Sequence, residues 1–328
     1  MSVLAGVDEA GLGPLLGPLV IGFSAFRVPG GEADLWKLLA ASVSRDVRRD
    51  AERVIVDDSK RVFTRNPRGR RRLETTALSF LALLEDGGRP PGEPGWMFAG
   101  ALAPEPGELE RHPWYRRLPA RLPLEQEAGT VELRAEGLRR ALGRAGAELL
   151  SAGVRVVPAG ELNRSFDETD SKSLTLWYKT ALVLRHLWER HGGEDLQVVA
   201  DQHGARTGYG PLLARSFPEA AVRLARQGPD FREFELEGRP GGPGADRRMR
   251  VLFAPRADAA AFPTALASCL AKYARETCMG AFNAFFGELQ PDLKPTAGYT
   301  TDGRRWVIEA RPALSRAGLA AGVLARER

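Results

Sequence analysis

The chain is poor in sulfur and in lysine. Cys269 and Cys278 are the only cysteines among 328 residues, too few for a disulfide framework and not spaced as a zinc pairing. No run of about 18 apolar residues occurs, so no helical membrane span is expected. Residues 1–13 carry no basic leader and reach Asp8 and Glu9 early, so no signal peptide is expected and the protein reads as cytoplasmic. Lysine supplies only six of the 47 basic residues, at 37, 60, 172, 179, 272 and 294, leaving 41 arginines. GC-rich coding accounts for such a bias without any function. The same forks of donors also suit phosphates, and the net charge is +5 with a pI near 9.4. Charge alone therefore only inclines the reading towards a nucleic-acid partner.

With 43% hydrophobic and 27% charged residues, the composition is that of a globular protein with a real core. Residues 2–7 and 19–28 are apolar and β-branched, and read as two strands joined by a glycine-rich turn. Helical spacing predicts a helix over 32–52, then a short strand at 53–56 and the acidic turn Asp57-Asp58-Ser59-Lys60. The arginine run within 61–75 fits a solvated loop or helix face. Proline and glycine dominate a long excursion near 87–125. Beyond it the pattern predicts a helix at 130–152 and a strand at 154–157. An amphipathic helix over 173–191 follows, opened by Asp170 and Ser171 as capping residues. A buried-type strand at 196–200 ends on Asp201, and two strands around a Gly-Pro turn occupy 232–253. Helices close the chain at 262–286 and 313–326, and no internal repeat is visible. A hairpin followed by alternating strands and helices predicts an α/β fold, a mixed sheet flanked by helices, as a single domain spanning 1–328.

Four acids share one trait: each ends a strand or opens a helix. Asp8 and Glu9 close the first strand before Gly11, Asp201 closes the strand at 196–200, and Asp258 precedes a helix. Acids at the ends of neighbouring strands converge at the usual place for an α/β site. Hard carboxylate oxygens suit Mg²⁺ or Mn²⁺, and two ions ~4 Å apart would clamp the attacking water and leaving oxygen of a phosphodiester. The plainer readings are an exposed turn for Asp8 and Glu9, a strand-end turn for Asp201 and a helix-dipole acid for Asp258.

Four blocks resemble the type 2 ribonucleases H, the ribonuclease HII family, in that family's order. They are GVDEAGLGPLLGPLVIG at 6–22, DDSK at 57–60, VVAD at 198–201 (preceded by ELN at 161–163), and RADAAAFPTALASCLAKYARE at 256–276 followed by GYTTDGRRW at 298–306. Together they cover about a third of the chain. The resemblance implies a ribonuclease-H-like fold, with the excursion near 87–125 and the hairpin near 232–253 as insertions. It implies that Asp8, Glu9, Asp201 and Asp258 hold Mg²⁺ or Mn²⁺ and are catalytic. Lys60 would approach a substrate phosphate, the turn Gly11-Leu12-Gly13 would read a ribose, and Tyr299 would stack on a sugar at an RNA–DNA junction. Equally, Lys60 reads as a solvated lysine and Tyr299 as a packed aromatic.

The implied activity is endonucleolytic cleavage of the RNA strand of RNA–DNA hybrids, or of ribonucleotide-containing DNA. It leaves 5′-phosphate and 3′-hydroxyl ends, in a monomer with no small-molecule cofactor and no membrane partner. The chain departs from the family at Leu12, where the turn usually carries Arg or Lys, and at Thr300, where proline usually follows the tyrosine. A ribonuclease-H-fold nucleic-acid-binding protein whose cleavage is lost or redirected is the alternative. His203 follows Asp201 closely and reads as a bystander.

Overall fold

A computed structural model of the chain describes all residues except 31–32, 49–51, 86–88, 320 and 327–328. The expected helix start at Glu32 and the first residues of the excursion, 87–88, lie outside the described residues.

Strands β1 (Ser2–Ala10) and β2 (Leu19–Val28) form an antiparallel pair, as their patterning predicts. The expected helix over 32–52 is not formed. Among its described residues only α1 (Leu35–Leu38) is helical, capped by the Asp34 side chain. Val43 of β3 (Val43–Ser44) then pairs in parallel with β4 (Val54–Ile55), so burying Val43 and Val54 in a small ladder wins over local helical spacing. Helix α2 (Ser59–Val62) follows, and the arginine run becomes the start of α3 (Pro67–Leu81), capped by Asn66. The excursion carries short 3-10 turns and α4 (Glu108–Arg111).

Helix α5 (Ala128–Ala145) stops earlier than expected, because Gly146 adopts a left-handed conformation and releases the chain into β5 (Glu148–Val157). Helix α6 (Ala159–Thr169) ends at Asp170, which is left-handed, so Ser171 alone caps α7 (Lys172–His191). Strand β6 (Asp195–Asp201), α8 (Gly210–Ser216), and strands β7 (Ala220–Gln227), β8 (Arg232–Gly238) and β9 (Arg248–Ala254) follow. After α9 (Ala257–Ala260) comes the long α10 (Phe262–Leu289). Helix α11 (Thr300–Glu309) follows, and the expected helix at 313–326 is instead split between α12 (Arg311–Ala317) and α13 (Ala321–Leu324), with the chain turning at left-handed Gly318.

The main sheet runs β5-β2-β1-β6-β9-β8-β7, with β1, β6 and β9 parallel at its centre. This is the expected mixed sheet flanked by helices. Val3, Ala5 and Val7 of β1 face one apolar core with α7, while α3, α5 and α10 belong to the other. Among the described residues no helix is long and apolar enough to cross a membrane.

Helix α10 lies directly on β1 and β2 because two glycines leave room for it. A Cβ at Gly6 would overlap the backbone of Pro263 and Thr264, and one at Gly22 the carbonyl of Ala267. Thr264 Oγ1 donates to the Val199 carbonyl at 2.8 Å and Ser24 Oγ to that of Pro263 at 2.9 Å, which fixes the helix start. Gly6→Ala should therefore destabilise the protein by about 3 kcal/mol or more. Urea unfolding reads this directly, and an unchanged midpoint would refute the close approach.

On the other side of β5, the buried Glu161 accepts from Arg155 at 2.5 Å and Lys179 at 2.9 Å. Arg155 also donates to the Ala103 carbonyl at 2.7 Å, so this network ties the excursion to the sheet.

Candidate active site

The central parallel strands deliver the acids. In the β1–β6 register Val7 stands beside Ala200, which places Asp8 and Asp201 at the same end of adjacent strands. Strand β1 extends to Ala10, so Asp8 and Glu9 lie inside its last residues and not beyond it. Asp201 pairs with Ala254 of β9, and the chain turns from there into α9, which carries Asp258. That turn needs Arg256 in a left-handed conformation at φ 56°, uncommon for a residue with a side chain. With the turn so made, the Ala257 amide donates to Asp201 Oδ1 at 2.9 Å. Glu9 N donates to Asp8 Oδ1 at 2.8 Å.

Each of the four carboxyls is held above its ordinary pKa. Burial raises Asp8 most, followed by the charges of Glu9, Asp201 and Asp258, with Ser268 of α10 offsetting part of it. Glu9 is pushed up to about 7 by burial and by Asp201. Asp258 rises to about 6 through burial and Asp58. Asp201 rises through burial, against the Ala257 amide. Burial works to lower Lys60, but Asp58, Asp258, Asp8 and Asp201 overcome it and raise its pKa. The exposed lysine thus sits in the field of the same acids.

Mutual repulsion and hard oxygen donors fit divalent cations. Among the described residues, no three His, Cys, Asp or Glu side chains already stand as a metal cage. Like charges without a counter-ion do not close up on one another.

Two participants escaped the sequence reading. Asp58 caps α2 through Lys60 N at 2.8 Å and also hydrogen-bonds Asp258. Ser268 lies between Ser59, at 2.8 Å, and Asp8. The Asp-Asp-Ser-Lys block pointed to Asp58, whereas nothing local marks Ser268 among the many small residues of α10. Asp57 is fully buried and paired with Arg45 at 2.9 Å and Arg61 at 2.6 Å, a structural use. His203 is buried and its pKa falls to about 4 through burial, which suits a packing role.

The glycine turn lies on buried arginines. Gly11, at φ 93°, has no Cβ, and one there would overlap the Arg275 side chain. Leu12 is half-buried against the apolar core on the α7 face, so its side chain does not serve the turn as a cation would. Gly13 is exposed. Arg326 donates to the carbonyls of Gly11, Leu12 and Gly17, the last at 2.6 Å. Tyr299 is about half exposed, with Arg65 and Arg275 guanidiniums 5.6 and 5.8 Å from its ring centre. The Gly298 carbonyl beside it accepts from Leu15 N at 2.7 Å, which joins this platform to the turn. A cavity of about 450 Å³ among Arg65, Tyr273, Met279 and Ala297 contains none of the four acids.

No protein-family profile matches the chain, and no curated protein matches it. Solved structures do show similarity. A ribonuclease HII from Archaeoglobus fulgidus, in complex with PCNA, is 17% identical, with 99% of this chain and 94% of that chain covered at a TM-score of 0.44. The ribonuclease H2 of Pyrococcus horikoshii OT3 is also 17% identical, with 98% and 92% covered at 0.46. Bst ribonuclease HIII in complex with Mn²⁺ is 13% identical, with 99% and 66% covered at 0.43.

Proposed function

We propose that this protein is a divalent-metal-dependent endonuclease of ribonuclease H type that hydrolyses the RNA strand of RNA–DNA hybrids. The observation that carries the reading is the shared field of Asp8, Glu9, Asp201 and Asp258 at the ends of adjacent strands. A protein without a cationic ligand gains nothing from gathering four repelling carboxylates.

Asp8, Glu9, Asp201 and Asp258 would hold Mg²⁺ or Mn²⁺. When bound, such ions supply Lewis-acid activation of water and neutralise charge on the phosphodiester. Lys60, kept protonated by the acids around it, would offer its ammonium to a phosphate oxygen. Asp58 shares a hydrogen bond with Asp258 and so orients that carboxyl. The amides of the Gly11-Leu12-Gly13 turn would face a ribose, held from behind by Arg326, and Tyr299 would offer its exposed ring to a sugar. The protein would act in the cytoplasm as a single-domain monomer, with the segment near 87–125 as an insertion.

The deciding experiment compares labelled RNA–DNA hybrid, DNA with one ribonucleotide, double-stranded RNA and DNA, with Mg²⁺ or Mn²⁺ and with chelator. Metal-dependent cleavage of the RNA strand, leaving 5′-phosphates, is expected. Binding of the hybrid without cleavage in either metal would instead establish the nucleic-acid-binding alternative.

The departure at Leu12 sets a further expectation. A charge-assisted hydrogen bond contributes roughly 1.5–3 kcal/mol, a factor of about 10 to 150. The natural protein should discriminate weakly at an RNA–DNA junction, and Leu12→Arg should sharpen it. The readout is kcat/KM on DNA with one embedded ribonucleotide relative to full hybrid. Strong preference in the natural protein, unaltered by Leu12→Arg, would show that another group makes the contact.

A further inference from the structure

Between Ser59 and Leu73 the chain carries seven basic residues, Lys60 and six arginines, and no acid. The next acid, Glu74, is buried and already accepts from three backbone amides and the Tyr273 hydroxyl. Codon bias exchanges lysine for arginine but does not remove acids, and over the whole chain 47 basic residues face 42 acidic ones. The excess in this segment is therefore local.

Most of these arginines have no carboxylate to answer their charge. Arg68 donates to the Arg48 carbonyl at 3.1 Å, Arg71 to that of Glu125 at 3.1 Å, and Arg72 to those of Val62 and Val47 at 2.6 and 2.9 Å. Arg65 has neither a hydrogen bond nor an ion pair among the described residues, and its guanidinium lies 5.6 Å from the Tyr299 ring centre. Among the described residues only Arg61, with Asp57, and Arg70, with Glu125 at 3.6 Å, are paired. Arg65, Arg68 and Arg71 are exposed. Burial and then the charge of Arg68 hold Arg72 below its ordinary pKa, so the crowding of like charges is felt along the helix.

The band is joined to the site in two places. Arg72 holds the end of α2, the helix whose second residue is Lys60, in the field of the acids. Arg65 faces Tyr299, whose neighbour Gly298 is bonded to the glycine turn through Leu15.

We propose that the exposed guanidiniums of Arg65, Arg68 and Arg71 form a docking surface for the phosphate backbone of the duplex arm that leads away from the sugar on Tyr299. The proposal rests on the nuclease reading above and extends it from the cleaved bond to the flanking duplex. Three charges without a counter-ion, each on a planar fork that matches phosphate oxygens, favour a nucleic-acid backbone as the occupant. Side chains three apart on α3, as Arg68 and Arg71 are, have Cβ atoms about 5–6 Å from each other. Phosphates follow one another every ~3.4 Å of axis along a strand, so long side chains at that spacing reach neighbouring ones. The exposed residues between the arginines, Thr64, Asn66 and Pro67, offer no large apolar anchor to a protein partner.

The double variant Arg68→Gln/Arg71→Gln and the single variant Arg65→Gln test this. Hybrid binding by the full chain is measured in chelator over a series of salt concentrations, alongside melting temperature and Mg²⁺-dependent cleavage. The slope of log K against log salt should fall by about 0.9 for each phosphate no longer neutralised, hence by about 1.8 in the double variant and about 0.9 in the single one. Arg65 has no hydrogen bond to lose, so its variant stays informative even if the double variant melts early. On a hybrid trimmed flush to the cleaved bond on this side, the slopes of parent and variants should coincide.

Parental slopes in both variants would overturn the surface while leaving cleavage, and hence the nuclease reading, intact. Loss of poly-glutamate binding in those same variants would then assign the arginines to an acidic peptide. Slopes reduced equally on the trimmed hybrid would also overturn it, since the arginines would then act as diffuse charge and not on an arm. Reduced slopes on the long hybrid alone, with no cleavage of any duplex by the parent, would overturn the nuclease reading and keep the surface. No binding of any duplex by the parent would overturn both.

Discussion

Asp8→Asn should lose hybrid cleavage by several orders of magnitude, keep hybrid binding, and melt above the parent at pH 8. Both effects come from one cause. Asp8 is 7% exposed and surrounded by Glu9, Asp201 and Asp258, so its charge is useful only towards a cation and is otherwise unfavourable. The pH dependence has a definite sign. The folded carboxyls of Glu9, at about 7, and Asp258, at about 6, lie above the ordinary values of 4.5 and 3.8. Between those limits the native state retains protons that the unfolded chain has released, so stability falls as pH rises through this window. Asp8, raised in the same direction, adds to that loss.

Removing the Asp8 charge should therefore raise the melting temperature at pH 8 in chelator and change it little near pH 4. An equal shift at both pH values would contradict the repulsion, and cleavage undiminished in Asp8→Asn would end the mechanism.

The other large effect is structural. Glu161→Ala should destabilise the fold by about 3–5 kcal/mol, the range for breaking a buried ion pair. Glu161 is fully buried and is the anion shared by Arg155 and Lys179, both nearly buried themselves. Its loss leaves Arg155 without an anion in the interior and Lys179 with only the longer 3.6 Å pair to Glu105, and loosens the excursion that Arg155 holds through the Ala103 carbonyl. Replacing all three by apolar residues of similar volume should recover much of the loss, since the penalty comes from unpaired charge. Urea unfolding of the single and triple variants tests both statements. A single variant as stable as the parent would mean that the network contributes nothing.

How far the sequence could be read depended on how local each cause was. Strands β1, β2, β6 and β9 were legible from apolar and β-branched runs, and α7 and α10 from length and helical spacing. The convergence of Asp8, Glu9, Asp201 and Asp258 was legible because each stands at or near a change of element. What failed was set by distant partners. Residues 43–44 left a helical pattern for a ladder with 54–55, and α5 ended where Gly146 took a left-handed turn. Strand β7, mostly exposed on a sheet edge, has no clear alternation to reveal it. Ser268 joins the site only because Gly6 and Gly22 let α10 lie against the strands.

The Arg326 clasp gives the turn a particular place in the folding order. Its contacts with Gly17 and Gly11 join residues 309 and 315 positions apart, so the turn cannot be finished by its own neighbourhood. Strand β1 can pair with β2 as soon as both exist, but the carbonyls beyond it wait for the segment after α12 to dock. Contacts of such long sequence separation form late, and a short docked segment is among the first to open. Gentle denaturation would then uncouple the two ends of the site: acids still gathered on the central strands, with the turn beside them already released from its clasp.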